Sequence, residues 1–80
     1  MATTWLGPRL VKLRKDHNMT QSELGAILGV SMHAVSKWEN GINDMTSQQV
    51  YVICTHFGIS ADWLLGLAGF NDDLEGIRQT

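Results

Sequence analysis

The chain has 80 residues, which allows one domain with a small hydrophobic core. Its only cysteine, Cys54, excludes a disulfide within the chain, and a lone thiol is typical of a reduced cytoplasmic protein. No apolar run approaches the roughly 20 residues of a membrane span, and the first 10 residues lack the regions of a secretory signal. We therefore expect a cytoplasmic protein without a membrane segment.

The net charge is −2, but the charges are unevenly distributed. Residues 1–41 carry five lysines and arginines against three acids, a balance of +2, whereas residues 42–80 carry one arginine against five acids, a balance of −4. Such an asymmetry can orient a protein toward a polyanion. Taken alone, however, the charges favour the simpler interpretation of a solvated surface.

The chain contains no repeat and almost no β-type alternation, and its single glycines and capping residues predict several short helices. The first helix is expected to begin at Pro8, where a missing N–H costs nothing. Leu10 and Leu13 form its apolar face. We expect it to end at Asn18, because asparagine tolerates the left-handed conformation of a helix end.

The second and third predicted helices are short and close together. Thr20 and Glu23 form a capping box that starts the second helix, and Gly29 ends it. The third helix is expected to start with Ser31 as its cap and to end at Gly41. The apolar positions that must face the core are Leu24, Leu28, Val35 and Trp38.

Two further helices complete a predicted all-α, five-helix fold. Thr46 and Gln49 form a second capping box, and the fourth helix ends at Gly58. Its apolar stripe consists of Val50, Ile53, Cys54 and Phe57. The fifth helix is expected between Ser60 and Gly66. Trp38, Phe57, Trp63 and Leu64 are predicted to belong to the core.

The joint between the second and third helices is short enough to force a steep crossing, as in a helix-turn-helix. Such a joint needs a small residue at the crossing, which Gly25 supplies, and positive φ in the turn, which Gly29 tolerates. The residues that fill the angle are Leu24, Leu28, Val30, Val35 and Trp38. The residues left on the outer face of the third helix are Met32, His33, Ser36 and Lys37.

Residues 10–66 resemble the Cro/CI-type helix-turn-helix domain of phage repressors and bacterial regulators. The resemblance rests on "TQSELGAILGVS", "VSKWENG" and "FGISADWLLG". It implies a DNA-binding domain, which we place at residues 1–69, with the motif at 21–40 and a tail at 70–80. It also implies a protein that binds operator DNA as a dimer, usually to repress transcription.

The resemblance also implies roles for individual residues. The predicted base-contacting residues are Met32, His33, Ser36 and Lys37. The predicted phosphate-contacting residues are Thr20, Gln21, Ser31, Asn40 and Asn43. Arg14 and Glu39 match a partly buried ion pair between the first and third helices.

These assignments have ordinary alternatives. Lys37 and His33 could be solvated surface residues, and Arg14 could belong to a basic face of the first helix together with Arg9, Lys12 and Lys15. Met32 could belong to the core, but the flanking Val30 and Val35 already supply its core face, so we expect exposure.

Two features of the sequence bear on partners. The loop "INDMT" after the third helix carries no cation, although many relatives have a basic loop there. The apolar residues in excess of what so small a core needs are Trp5, Leu6, Leu65, Leu67, Phe70, Leu74 and Ile77. A homodimer through the fifth helix and the tail would bury them, and the alternative is a tail that folds onto Trp5.

The leading hypothesis is a sequence-specific transcriptional regulator, a repressor, that binds double-stranded DNA. The second hypothesis is an antitoxin-like protein-interaction module whose DNA binding is weak or lost. An enzyme is not expected, because the sequence shows no triad, carboxylate pair or phosphate loop. We predict no cofactor, no metal and no small-molecule ligand, since Cys54, His56 and His17 lack zinc spacing.

Overall fold

The structure is a computed structural model, and it describes residues 5–67. This part of the chain forms five α-helices and no strand. The helices are α1 (Leu6–Asp16), α2 (Gln21–Leu28), α3 (Met32–Glu39), α4 (Ser47–Phe57) and α5 (Ala61–Leu65). The predicted all-α, five-helix fold is confirmed. No helix within residues 5–67 has the length and apolarity needed to cross a membrane.

Most helix ends lie where local sequence chemistry predicts them. Thr20 accepts a hydrogen bond from the backbone N–H of Glu23 at 3.0 Å, and the Glu23 carboxylate accepts one from the Thr20 N–H at 2.8 Å. Thr46 and Gln49 form the same reciprocal pair at the start of α4. After α1, Asn18 has a φ of +55°. Both capping boxes and the Asn18 turn are therefore confirmed.

The first helix starts earlier than predicted. It begins at Leu6, so Pro8 is its third residue instead of its first. Proline is accepted there because the N–H groups of the first turn have no partner within the helix. Leu6 is only 1% exposed. It belongs to the domain's own core and needs neither a dimer nor a tail to cover it.

The core is contributed by all five helices and one loop residue. The buried apolar residues are Leu6, Leu10, Leu13, Leu24, Val35, Trp38, Met45, Val50, Ile53 and Leu64. Trp38 and Leu64 are buried as predicted, whereas Phe57 and Trp63 are half-buried and pack against this core. The burial of Met45 was not predicted, since this residue lies in a polar loop. At 8% exposure it anchors that loop between α3 and α4.

Arg9 does not belong to a basic face of α1. Its side chain is 6% exposed, and its Nη1 atom donates a hydrogen bond to the Trp63 carbonyl at 3.0 Å. The guanidinium lies 4.8 Å from the ring centroid of Trp63 and 5.8 Å from that of Trp5. Arginine suits this place because it stacks on aromatic rings while it donates to a carbonyl at a helix end. Arg9 therefore fastens α1 to α5.

The predicted tail at residues 70–80 lies outside the described residues, as do Phe70, Leu74 and Ile77. Of the remaining apolar excess, Trp5 is 42% exposed and Leu67 is 73% exposed. Leu65 is half-buried and packs against the core.

Candidate DNA-binding site

The close approach of α2 and α3 depends on two glycines. Gly29 adopts a φ of +70°, and the backbone N–H of Val30 then donates to the Gly25 carbonyl at 2.9 Å. A Cβ atom on Gly25 would lie 2.6 Å from the Val30 carbonyl oxygen and 3.2 Å from that of Ser31. Real Cβ contacts do not reach the shorter distance, so the crossing requires glycine at position 25. The predicted roles of both glycines are confirmed.

The third helix has one buried face and one solvent face. Met32, His33 and Lys37 are exposed, and Met32 is 47% exposed, which excludes it from the core. Ser36 is half-buried. The four side chains predicted to contact bases thus share the accessible surface of one helix, where they can reach a ligand together.

An ion pair holds α3 to α1. The Arg14 Nε atom donates to Glu39 Oε2 at 2.7 Å, and Nη2 donates to Oε1 at 3.1 Å. The remaining Nη1 donates to the Met19 carbonyl at 3.0 Å. The two charged side chains are only 15% and 5% exposed. The hydrogen bond to the Glu39 carboxylate, helped by its charge, raises the pKa of Arg14 although burial opposes the shift.

The second helix joins this network through Gln21, a contact that sequence analysis missed. The Gln21 Nε2 atom donates to Glu39 Oε1 at 3.0 Å. A carboxamide has two N–H groups, so one remains available to a phosphate oxygen. Gln21 is also the first residue of α2, and the N-terminal end of a helix favours an anion. The network of Arg14, Gln21 and Glu39 links α1, α2 and α3.

Two other predicted phosphate contacts are hydroxyl groups at helix starts. The Thr20 Oγ1 atom accepts from the Glu23 N–H, and the Ser31 Oγ atom accepts from the Ala34 N–H at 3.3 Å. Each hydroxyl still has its own hydrogen to donate. The cap positions thus leave both groups able to bind a phosphate oxygen.

Asn40 and Asn43 differ in their hydrogen bonds, because Asn40 donates from its side chain and Asn43 from its backbone. The Asn40 Nδ2 atom donates to the Ser36 carbonyl at 2.9 Å and to Ser36 Oγ at 3.2 Å. A phosphate contact by the Asn40 amide therefore requires at least one of these two hydrogen bonds to open. The spacing of Ser36 and Asn40 could have indicated their contact, because residues four apart on a helix are neighbours. Asn43 is exposed, and its backbone N–H donates to the Lys37 carbonyl at 3.4 Å.

The histidines do not form a metal centre in the described region. The rings of His17 and His56 both contact Phe57 edge-on, with centroid distances of 4.7 Å. Among residues 5–67, no group of three or more histidine, cysteine or acidic side chains could hold a metal ion.

Comparison with known proteins identifies the family. A helix-turn-helix family model (HTH_3) matches residues 10–64. The solved structure of the P22 c2 repressor in complex with a synthetic operator superposes with a TM-score of 0.71 at 30% identity, covering 79% of this chain and 96% of that one. The chain belongs to the helix-turn-helix family of DNA-binding transcriptional regulators, of the Cro/CI type.

Two curated relatives cover the same region. The chain is 34% identical over 55 residues to the antitoxin PezA of Streptococcus pneumoniae, which is 69% of this chain and 35% of that protein. It is 37% identical over 57 residues to the transcriptional activator BcrR of Enterococcus faecalis, which is 71% of this chain and 28% of that protein. The chain thus spans about a third of the length of these relatives.

Proposed function

We propose that this chain is a sequence-specific, non-enzymatic regulator of transcription whose α3 enters the major groove of double-stranded DNA. The observation that carries the proposal is the solvent face of α3, with Met32, His33, Ser36 and Lys37 side by side on a helix fixed by the Arg14–Glu39 pair. Major-groove readout needs such a rigid helix with several side chains directed away from the core.

Each side chain has a distinct capacity in the groove. Lys37 can donate to O6 and N7 of guanine, and neutral imidazole at His33 can donate or accept at a base edge. The Met32 thioether cannot form a bidentate pair and is suited to packing on a thymine methyl. The Ser36 hydroxyl oxygen accepts a hydrogen bond from the Asn40 side chain. The hydroxyl hydrogen can therefore donate to an acceptor on a base edge in the groove.

Phosphate contacts by Thr20, Gln21 and Ser31 would fix the domain on the backbone, because such contacts position a protein without selecting sequence. Two copies on a near-palindromic site would place their α3 helices one helical turn apart, about 34 Å. Occupation of a promoter in this way would repress transcription. The similarity to the P22 c2 repressor, whose structure was solved in complex with a synthetic operator, supports the proposed binding to DNA.

Lys37→Ala tests the proposal. We expect it to reduce affinity for the preferred site roughly 5- to 150-fold, since a good base contact is worth about 1–3 kcal/mol of discrimination. Selection from a random DNA pool would supply the site, and gel shift would give the affinities. Lys12→Ala is the matched control, because Lys12 is also an exposed lysine and pairs only with Asp16 in the described structure. Equal losses in the two variants, or no DNA binding by the wild type at low salt, would contradict the proposal.

The second candidate is a protein-interaction module. Residues 40–67 carry no lysine or arginine, so nothing cationic follows α3 in this part of the chain, and one relative is an antitoxin. In this case the wild type would not bind any DNA at low salt.

A further inference from the structure

A hydrogen-bonded pair of polar residues, Ser36 and Asn40, lies at the C-terminal end of α3. Asn40 is the C-cap of this helix, and its backbone N–H and its side-chain Nδ2 both donate to the Ser36 carbonyl, each at 2.9 Å. The Nδ2 atom also donates to Ser36 Oγ at 3.2 Å. The Asn40 side chain reaches back in this way because side chains on a helix tilt toward its N-terminus, over the residues three and four positions earlier.

These contacts fix the direction of each hydrogen bond in the pair. A carbonyl oxygen only accepts, so the Asn40 atom beside the Ser36 carbonyl must be the NH₂ nitrogen and not the amide oxygen. The same NH₂ group faces Ser36 Oγ, and since this group can only donate, Oγ must accept. The Thr55 hydroxyl, by contrast, donates to the Tyr51 carbonyl of its own helix at 2.9 Å. Within residues 5–67 no such acceptor takes the Ser36 hydroxyl hydrogen, which therefore remains available.

We propose that Asn40 is a positioning residue that sets the base preference of Ser36, by holding the Ser36 hydroxyl as a hydrogen-bond donor. A free serine hydroxyl can donate or accept, so serine alone selects little in the major groove. A hydroxyl restricted to donation requires an acceptor, such as N7 of a purine or O4 of thymine. Cytosine is the one base whose major-groove edge offers only a donor. The pair therefore selects against cytosine at the base that faces Ser36.

The inference rests on the proposed function, because it needs α3 in the major groove. It assigns Asn40 a role that differs from the predicted phosphate contact. The pair is formed in the free protein, so the hydroxyl is directed before DNA arrives and no further ordering is needed on binding. A phosphate contact by the same NH₂ group would break one of these hydrogen bonds, and it would carry no sequence information. Base preference therefore distinguishes the two roles.

Selection from a random DNA pool with the wild type and with Ser36→Ala identifies the base that faces Ser36, as the position whose preference Ser36→Ala loses. We expect the wild type to bind the site with cytosine at this position about 2- to 10-fold more weakly than its preferred site, which corresponds to one hydrogen bond. Asn40→Ala frees the hydroxyl and should bring this ratio close to one. Asn40→Asp supplies a carboxylate that accepts the hydroxyl hydrogen, so the preference should shift toward cytosine.

Three controls isolate the effect of the pair. Ratios are measured within one variant, and an unfolded fraction lowers the affinity for both sites equally, so a change in stability does not alter them. Asn43→Ala should keep the wild-type ratio, because Asn43 is an exposed asparagine whose hydrogen bond within residues 5–67 comes from its backbone. In a Ser36→Ala background, Asn40→Ala should leave base preference unchanged, since the hydroxyl through which Asn40 acts is gone.

An unchanged ratio in Asn40→Ala would overturn the inference. A loss of affinity that is equal for all sequences, with the log–log salt dependence flattened by about 0.9, would also overturn it, because this result indicates one lost phosphate contact. A wild type that binds DNA through Lys37 but shows the same base preferences as Ser36→Ala would refute the role of the pair and leave DNA recognition intact. A wild type that binds no DNA at low salt would refute the proposed function and this inference with it.

Discussion

Replacing Arg14 by alanine is expected to lower the free energy of unfolding by about 3 kcal/mol. The substitution leaves the Glu39 carboxylate, which is 5% exposed, without its cation. Only the Gln21 amide then remains as a side-chain donor to it. Removing one partner of a buried pair is costly because the other charge has already lost its water. Urea unfolding monitored by circular dichroism would measure the change.

The expected loss is a large share of the total, since a domain of this size is stable by only about 4–12 kcal/mol. Lys12→Ala is the control on the same helix. It breaks the Lys12–Asp16 pair at 3.1 Å, whose side chains are 61% and 58% exposed. Exposed pairs contribute about 0–1 kcal/mol, so this variant should unfold almost like the wild type. Similar small losses in both variants would show that the Arg14 pair is not effectively buried.

A double variant separates the cost of leaving the Glu39 charge unpaired from the cost of losing the Arg14 side chain. Arg14→Ala with Glu39→Ala removes the stranded charge, so it should be more stable than Arg14→Ala alone. Because the Glu39 hydrogen bond raises the pKa of Arg14, the contribution of this shift to stability is fully present below the ordinary pKa of arginine and is lost as the pH rises through the raised pKa. A double variant less stable than Arg14→Ala would mean that Glu39 packs favourably without its partner.

The features that sequence predicted correctly are those with local causes. The capping boxes at Thr20 and Thr46 need residues only three positions apart. The positive φ of Gly29 follows from the short joint between α2 and α3. The exposure of Met32 follows from the apolar positions beside it, because they already occupy the buried face of the same helix.

The features that sequence missed depend on contacts across the fold. Arg9 resembles any other cation of α1 until α5 brings the Trp63 carbonyl to it, 54 residues away. Met45 lies in a polar loop, and only the packing of the folded helices makes that position internal. An apolar groove lined by Val50, Tyr51 and Leu65 likewise exists only once α4 and α5 are packed together. Periodicity could not have indicated any of the three.

Gly25→Ala is expected to destabilise the domain by about 3 kcal/mol and to weaken DNA binding. Alanine favours a helix over glycine by about 1 kcal/mol, so local propensity alone predicts the opposite sign. The added Cβ atom, however, would lie 2.6 Å from the Val30 carbonyl oxygen and 3.2 Å from that of Ser31. These are backbone atoms at the start of α3 that cannot rotate away, so α3 itself must shift. Thermal unfolding and gel shift of the folded variant would measure the two effects.

Gly29→Ala provides the contrast, because the two glycines differ in what constrains them. Among residues 5–67, no heavy atom beyond the adjoining residues lies within 4 Å of a Cβ placed on Gly29, and the strain comes from its left-handed φ of +70°. Such a conformation costs about 1–2 kcal/mol in a residue with a side chain. We therefore expect a smaller loss of stability and, once folded, DNA affinity close to that of the wild type. If Gly29→Ala weakened DNA binding more than Gly25→Ala, the turn and not the helix crossing would set the position of α3.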